Sequence, residues 1–170
     1  MNDKPSPSPE SKAQAAQDLP RLIERMHRRY LDVVRIELAR HGFHDISPVQ
    51  AVMLGTIGGT SGNEEISVRD LIERGYYLGS NASYNLKNLV EGGYVERQAS
   101  ARDRRSARLS LSAKGRDILG FLTKLNLTMA DGFIKNEGRE LEVTYQTLRA
   151  FERRWTEAIR SEVPSDNGPL

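Results

Sequence analysis

Between Gly79 and Gly93, amide, hydroxyl and ammonium side chains recur at helical spacing. Stepping this stretch at about 100° per residue places Asn81, Tyr84, Lys87 and Asn88 on one side and Ala82, Leu86, Leu89 and Val90 on the other. The apolar stripe would seat such a helix on a core and leave the polar face outward. That face has the chemistry of nucleic-acid contact: asparagine can bond an adenine edge bidentately, lysine can reach a phosphate or guanine, and tyrosine offers a hydroxyl and a ring. Ser80 and Ser83 stand near the helix start, where they can help to hold phosphates. Gly79 and Ser80 read as turn residue and N-cap, and Gly92-Gly93 as the C-terminal stop. Taken alone, the segment reads more simply as a surface helix with a solvated polar face; its neighbours reverse that balance.

Immediately downstream the chain is strongly basic. From Arg97 to Arg116 it carries Arg97, Arg102, Arg104, Arg105, Arg108, Lys114 and Arg116 against Asp103 alone, a local excess of six positive charges in a chain whose formal net charge is only +2. Residues 94–98 and 108–112 alternate as two strands, with Leu109 and Leu111 on one face, and the basic residues 99–106 lie between them. A basic hairpin directly after a polar-faced helix is a wing, and Arg102, Arg104 and Arg105 are its candidate DNA contacts.

The preceding elements position this pair. Ser47-Pro48-Val49-Gln50 is a helix start, combining a cap, a proline suited to the first turn and a glutamine able to close a capping box; that helix should run to about Ile57. Ile66 gives a single strand rung before Ser67 caps a short helix carrying Val68, Leu71 and Ile72, and the turn 74–79 leads into the polar-faced helix. Two short helices about a Gly-bearing turn make a helix-turn-helix. Outside it lie three long amphipathic stripes. One runs Leu19, Leu22, Ile23, Met26, Tyr30, Val33, Val34 and Leu38, with Asp18 as its cap; the others centre on Ile118, Leu122, Leu125 and Met129, and on Leu141, Tyr145, Leu148, Phe151, Trp155 and Ile159. A winged helix already buries its own apolar faces, so these helices gain most by packing together across a dimer.

The resulting division is a flexible tail over 1–17, a dimerisation helix over 18–45, a winged helix-turn-helix over 46–112, dimerisation helices over 113–161 and a second tail over 162–170. The fold class is mainly α with a small β-wing: a winged helix-turn-helix plus a helical dimerisation region.

Several function classes are disfavoured. With no cysteine there is no disulfide framework or thiolate chemistry, which fits a cytoplasmic location, and no apolar run is long enough to span a membrane. His27, His41 and His44 lack the acidic or thiol partners of a metal site, so no metal or cofactor is expected. No nucleophile motif is present, and Gly58-Gly59-Thr60-Ser61-Gly62 lacks the lysine of a phosphate loop, so an enzyme is not expected.

Over roughly residues 19 to 161 the chain resembles the MarR family of bacterial transcription regulators. The matching stretches are Ser47-Pro48-Val49-Gln50, Val68-Arg69-Asp70-Leu71, Leu89 through Arg97, Arg102-Asp103-Arg104-Arg105 and Leu111 through Gly115. Family wings carry an acid, a spacer and an arginine twice over; Ser100 stands where the first acid is expected, which puts Arg105 ahead of Arg102 as an ordered contact. The run from Gly75 to Asn81 is similar to a rhizobial-type subgroup that regulates L,D-transpeptidase genes. The resemblance implies a homodimeric, sequence-specific regulator on a near-palindromic double-stranded operator, tuned by a small aromatic or phenolic effector. The hinge between dimer helices and winged helix would hold that effector, lined by Met26, Tyr30, Val49, Met53, Ile57, Tyr76 and Tyr77, with Arg29 or Arg35 meeting an anion. The same side chains also read as plain core. A winged helix serving as a protein-interaction module is the alternative function, and it would be indifferent to salt and to duplex DNA.

Overall fold

The computed structural model of the chain describes residues 8–59, 62, 64–99 and 107–162. In order, the elements are α1 (Pro9–Arg40), α2 (Pro48–Gly58), β1 (Ile66–Ser67), α3 (Val68–Gly75), α4 (Gly79–Glu91), β2 (Val95–Ala99), β3 (Ala107–Leu111), α5 (Ala113–Asn136) and α6 (Gly138–Glu162). The wing tip, with Arg102, Arg104 and Arg105, lies outside the described residues, as do 1–7 and 163–170. Two units partition the chain, Met1–Thr123 and Lys124–Leu170.

In the first unit the core forms around α2, whose Ala51, Met53, Leu54 and Ile57 are all fully buried. The capping box expected from the sequence starts that helix: the Ser47 N–H donates to Gln50 Oε1 at 2.9 Å, and the Gln50 N–H to Ser47 Oγ at 3.3 Å. A second box, Ser67 with Asp70, starts α3. The sheet is antiparallel in the order β1-β3-β2, with Ile66 opposite Leu109 and Val95 opposite Leu111. This register turns Ile66, Leu109, Leu111 and Val95 into the core, as strand alternation requires.

Helix α1 begins at Pro9, well before Asp18, the cap that the sequence suggests. Residues 9–17, placed by the sequence within the N-terminal tail, are therefore helical, including the alanine-rich run from Ser11 to Gln17, which on its own could make a helical turn or two. Ser8 caps the helix, accepting from the Ser11 N–H at 3.2 Å, and Pro9 takes the first turn, where its missing N–H costs nothing. Pro20 then sits in the interior, where it has no N–H to bond back along the helix and its ring crowds the carbonyl one turn before it. Of the α1 stripe only Val34 and Leu38 are buried; Leu22 and Met26 remain substantially exposed, as does Ile36 outside the stripe.

Tyr94 ties the C-terminal end of α4 to the sheet and α5. Gly93 has φ +73°, its N–H donates to the Val90 carbonyl at 3.0 Å, and the Tyr94 N–H donates to the Leu89 carbonyl at 2.9 Å, the two bonds of a Schellman closure. The Tyr94 carbonyl then accepts from the Ser112 N–H at 3.1 Å, and Ser112 Oγ accepts from the Gly115 N–H at 3.1 Å to cap α5. The backbone passes so close that a Cβ on Gly115 would stand 2.2 Å from the Tyr94 carbonyl oxygen.

In the second unit, which holds the C-terminal part of α5 and α6, Phe151 and Trp155 pair with ring centroids 6.0 Å apart. Much of its apolar surface is open: Leu127, Phe133, Val143, Tyr145 and Ile159 are all more than half exposed.

Gly115→Ala should destabilise the fold by about 2–3 kcal/mol, because the obstructing atom is backbone and cannot rotate away. Gly120→Ala, with nothing within 4 Å of its added Cβ, should instead stabilise by up to about 1 kcal/mol through helix propensity. Urea melts of both variants check this pair, and equal effects would contradict the close approach.

Candidate nucleic-acid interface

The outer face of α4 is built as the sequence suggests. Ala82, Leu86 and Leu89 are buried, while Ser80, Asn81, Ser83, Tyr84 and Lys87 are exposed and Asn88 is half-buried at the margin. Tyr84 keeps 66% of its surface, large for an aromatic side chain on a helix that is otherwise seated on a core. Lys87 lies 3.8 Å from Glu91, a loose exposed pair that leaves the ammonium available.

The start of α4 differs from expectation. Leu78, with φ −63° and ψ 133°, takes the N-cap position and supplies no capping side chain, so Ser80 lies within the helix and does not cap it. The first helical bond runs from the Ala82 N–H to the Leu78 carbonyl at 2.9 Å, which leaves the amides of Gly79, Ser80 and Asn81 ahead of it. Unmade amides at a helix N-terminus suit a phosphate. Ser83 is committed elsewhere: its hydroxyl donates to the Gly79 carbonyl at 2.8 Å, which leaves only lone pairs outward, the wrong sense for a phosphate.

The turn before α4 is tight. Tyr76 is left-handed at φ 51°, rare for a residue with a Cβ, and Tyr77 folds its ring so closely over Gly75 that a Cβ there would lie 2.0 Å from it. Of the hinge residues named from the sequence, Met53 and Ile57 are fully buried in the core, Met26 and Tyr76 are more than half exposed, and Tyr30, Val49 and Tyr77 are half-buried. An open groove of about 280 Å³ lies beside α4, lined by Val68, Ser83, Leu86, Lys87, Val90, Glu91 and Arg97. None of the seven hinge residues lines it. Its apolar floor and two cations could not be seen in the sequence, because Val68 and Arg97 come from other elements.

Behind the C-terminal end of α4 sits a clasp that the sequence also conceals. Tyr94, 1% exposed, donates its hydroxyl to Asp45 Oδ1 at 2.6 Å; Lys114 Nζ donates to Asp45 Oδ2 at 2.6 Å and to the Gly92 carbonyl at 3.1 Å, and lies 4.0 Å above the Tyr94 ring. Hydrogen bonds from Lys114 and Tyr94 hold the Asp45 carboxyl below its ordinary range, the bond to Asp45 raises Lys114, and burial pushes the Tyr94 phenol up. His41, weighed above as a ligand, packs its ring 4.8 Å from Phe121, and among the described residues no group of three metal-ligating side chains occurs. No helix among the described residues is long and apolar enough to cross a membrane.

A short helix, a tight turn, a polar-faced second helix and a following antiparallel hairpin define a winged helix-turn-helix. The chain belongs to the MarR family of transcriptional regulators, whose family model matches residues 44–106. It is 42% identical over 149 residues to the exopolysaccharide II synthesis transcriptional activator ExpG of Rhizobium meliloti, covering 84% of this chain and 73% of that protein. Among solved structures it is similar to Streptococcus pneumoniae FabT in complex with DNA, with TM-score 0.68 and 22% identity over 84% of this chain and 99% of that one. The S. aureus MepR–DNA complex is similar at TM-score 0.61 and 17% identity, over 78% and 94% of the two chains. At these identities the structural likenesses show the fold.

The lowered Asp45 carboxyl makes the clasp pH-dependent. Its contribution is complete above the ordinary carboxylate range and is lost as pH falls through the lowered value; the raised Lys114 contributes fully below the ordinary lysine range and loses its share as pH rises through the raised one. The melting temperature of the unaltered chain should therefore fall more steeply between about pH 5 and pH 2 than that of Asp45→Asn. Both partners are exposed, so the difference should be about 1 kcal/mol or less. Parallel melting curves would mean that the charge of Asp45 contributes nothing.

Proposed function

We propose that the chain acts as a homodimer on a near-palindromic double-stranded DNA operator. Each α4 would enter a major groove through Asn81, Tyr84, Lys87 and Asn88, with Ser80 at the phosphates, and each wing would rest Arg102, Arg104 and Arg105 on the adjacent minor groove or its backbone. The observation that carries this reading is the exposed polar face of α4, held on a buried apolar stripe beside an uncapped helix start. The dimer is supported by apolar surface left open on α1 and on both helices of the second unit, since exposed patches of that kind mark association surfaces. Two-fold symmetry then requires half-sites about one helical turn apart. Such a protein would work in the cytoplasm with its DNA. The function of the Rhizobium meliloti relative, and the resemblance of residues 75–81 to regulators of L,D-transpeptidase genes, direct the search for targets to genes of the cell surface.

One binding experiment tests the reading: titration of the promoter region beside its own gene at several salt concentrations, with light scattering on the free protein. A dimer should bind with affinity that falls steeply with salt, and Arg104→Ala with Arg105→Ala should reduce the salt slope by about one to two units on all sequences alike. A monomer at micromolar concentration, or binding indifferent to salt and duplex, would favour the protein-interaction alternative.

Control by a small aromatic or phenolic effector is part of the same proposal, and the groove beside α4 suits it better than the hinge. Leu86, Val90 and Val68 offer an apolar bed and Lys87 and Arg97 two cations, whereas Met53 and Ile57 are already enclosed by core. Millimolar benzoate should weaken operator binding several-fold, and Arg97→Ala should abolish that response. If Met53→Ala abolishes it and Arg97→Ala does not, the site is the hinge.

A further inference from the structure

We infer that Asn85 is a positioning residue that presents Asn81 to DNA as a hydrogen-bond donor, so that Asn81 selects an acceptor on the base edge. The inference rests on Asn81 being a base contact, as proposed above. Asn85 belongs to neither the reading face nor the apolar stripe. It is 7% exposed, and its amide nitrogen donates both to the Asn81 backbone carbonyl at 3.0 Å and to Asn81 Oδ1 at 2.6 Å.

These two bonds settle which way both amides point. A backbone carbonyl oxygen can only accept, so the group of Asn85 that faces it must be the NH2. The other hydrogen of that NH2 must in turn meet an acceptor, which makes the Asn81 atom beneath it the oxygen. Asn81 therefore has its side-chain carbonyl held toward Asn85, one turn further along the helix, and is left with its own NH2 to offer. A bidentate adenine contact needs oxygen and nitrogen presented together, to N6 and N7. An outward NH2 suits acceptors alone, and guanine, with O6 and N7 side by side, is the fullest match; the N4 amino group of cytosine is the poorest. The cost of burying Asn85 is offset only while both its N–H bonds are made, so the pair is held in one arrangement.

The test is competitive binding of the full-length protein to its operator and to every single-base-pair variant of it, for the unaltered chain, Asn81→Ala, Asn85→Leu and Asn85→Ala, with thermal melts confirming that each folds. In the unaltered chain one position per half-site should prefer guanine over cytosine by about tenfold or more, and 7-deazaguanine should lose part of that preference. Asn81→Ala should flatten that position. Asn85→Leu or Asn85→Ala should leave the other positions unchanged and move that one towards adenine, because a freed amide can turn its oxygen outward. If Asn81→Ala flattens a position that both Asn85 variants leave unaltered, the positioning role is wrong while the base contact stands. If Asn81→Ala weakens all variants equally, Asn81 is not a base contact and the inference falls with that reading. A uniform loss at every position in the Asn85 variants would make Asn85 purely structural and overturn the inference.

Discussion

Tyr94 is the residue on which the placement of α4 depends. Its N–H closes the helix, its carbonyl receives Ser112 and so fixes where α5 begins, its ring lies within the core, and its hydroxyl reaches back to Asp45 before α2. One buried residue, through its backbone and its side chain together, thus joins the end of the polar-faced helix, the sheet, the start of α5 and the loop after α1. The requirement for glycine at 93 and at 115 follows directly: the first needs a positive φ, and the second must let the Tyr94 carbonyl pass. Lys114 completes the arrangement from above the ring, but as a half-exposed ion pair it adds less than the buried backbone bonds beneath it.

Much of the fold was legible because its signals are local. The capping box at Ser47 and Gln50, the cap at Ser67, the strand alternation around Leu109 and Leu111, and the stop at Gly92-Gly93 each lie within a few residues and mean one thing physically. The start of α1 was not legible. Asp18 stands just before the apolar stripe that starts at Leu19 and so looked like the cap, whereas the structure runs a longer helix through Pro20 and caps it with Ser8. Leu78 gave no sign of the N-cap position for a similar reason, since a cap without a side-chain bond leaves no mark in sequence.

The site shows the same division between local and non-local information. Helical stepping placed the outer residues of α4 on one face, but it could not show that Asn85 reaches back one turn to Asn81, because that depends on two side-chain torsions rather than on spacing. Nor could it join Asp45 to Lys114, 69 residues apart, or bring Arg97 and Val68 to one groove. The hinge residues illustrate the converse: Met53 and Ile57 have the composition of a ligand wall, and the structure uses them as core.

The two ends of α4 are secured unequally, and this has a mechanical consequence. The C-terminal end is tied by the Schellman bonds and the clasp; the N-terminal end has no side-chain cap and follows a turn through the left-handed Tyr76. The first turn is still seated on the core through the fully buried Ala82, so a lateral push tilts α4 only as far as that packing gives, and most at its N-terminal end. Over the length of α4, about 20 Å at 1.5 Å per residue, a tilt of about 5° at the clamped end displaces the other by roughly 2 Å, more than a base-edge hydrogen bond tolerates. Ser83, Leu86, Lys87 and Val90 line the groove along the side of that lever. A small molecule seated there would therefore displace Asn81 more than the turn at Tyr94, with the packing of Ala82 setting how far the N-terminal end can move.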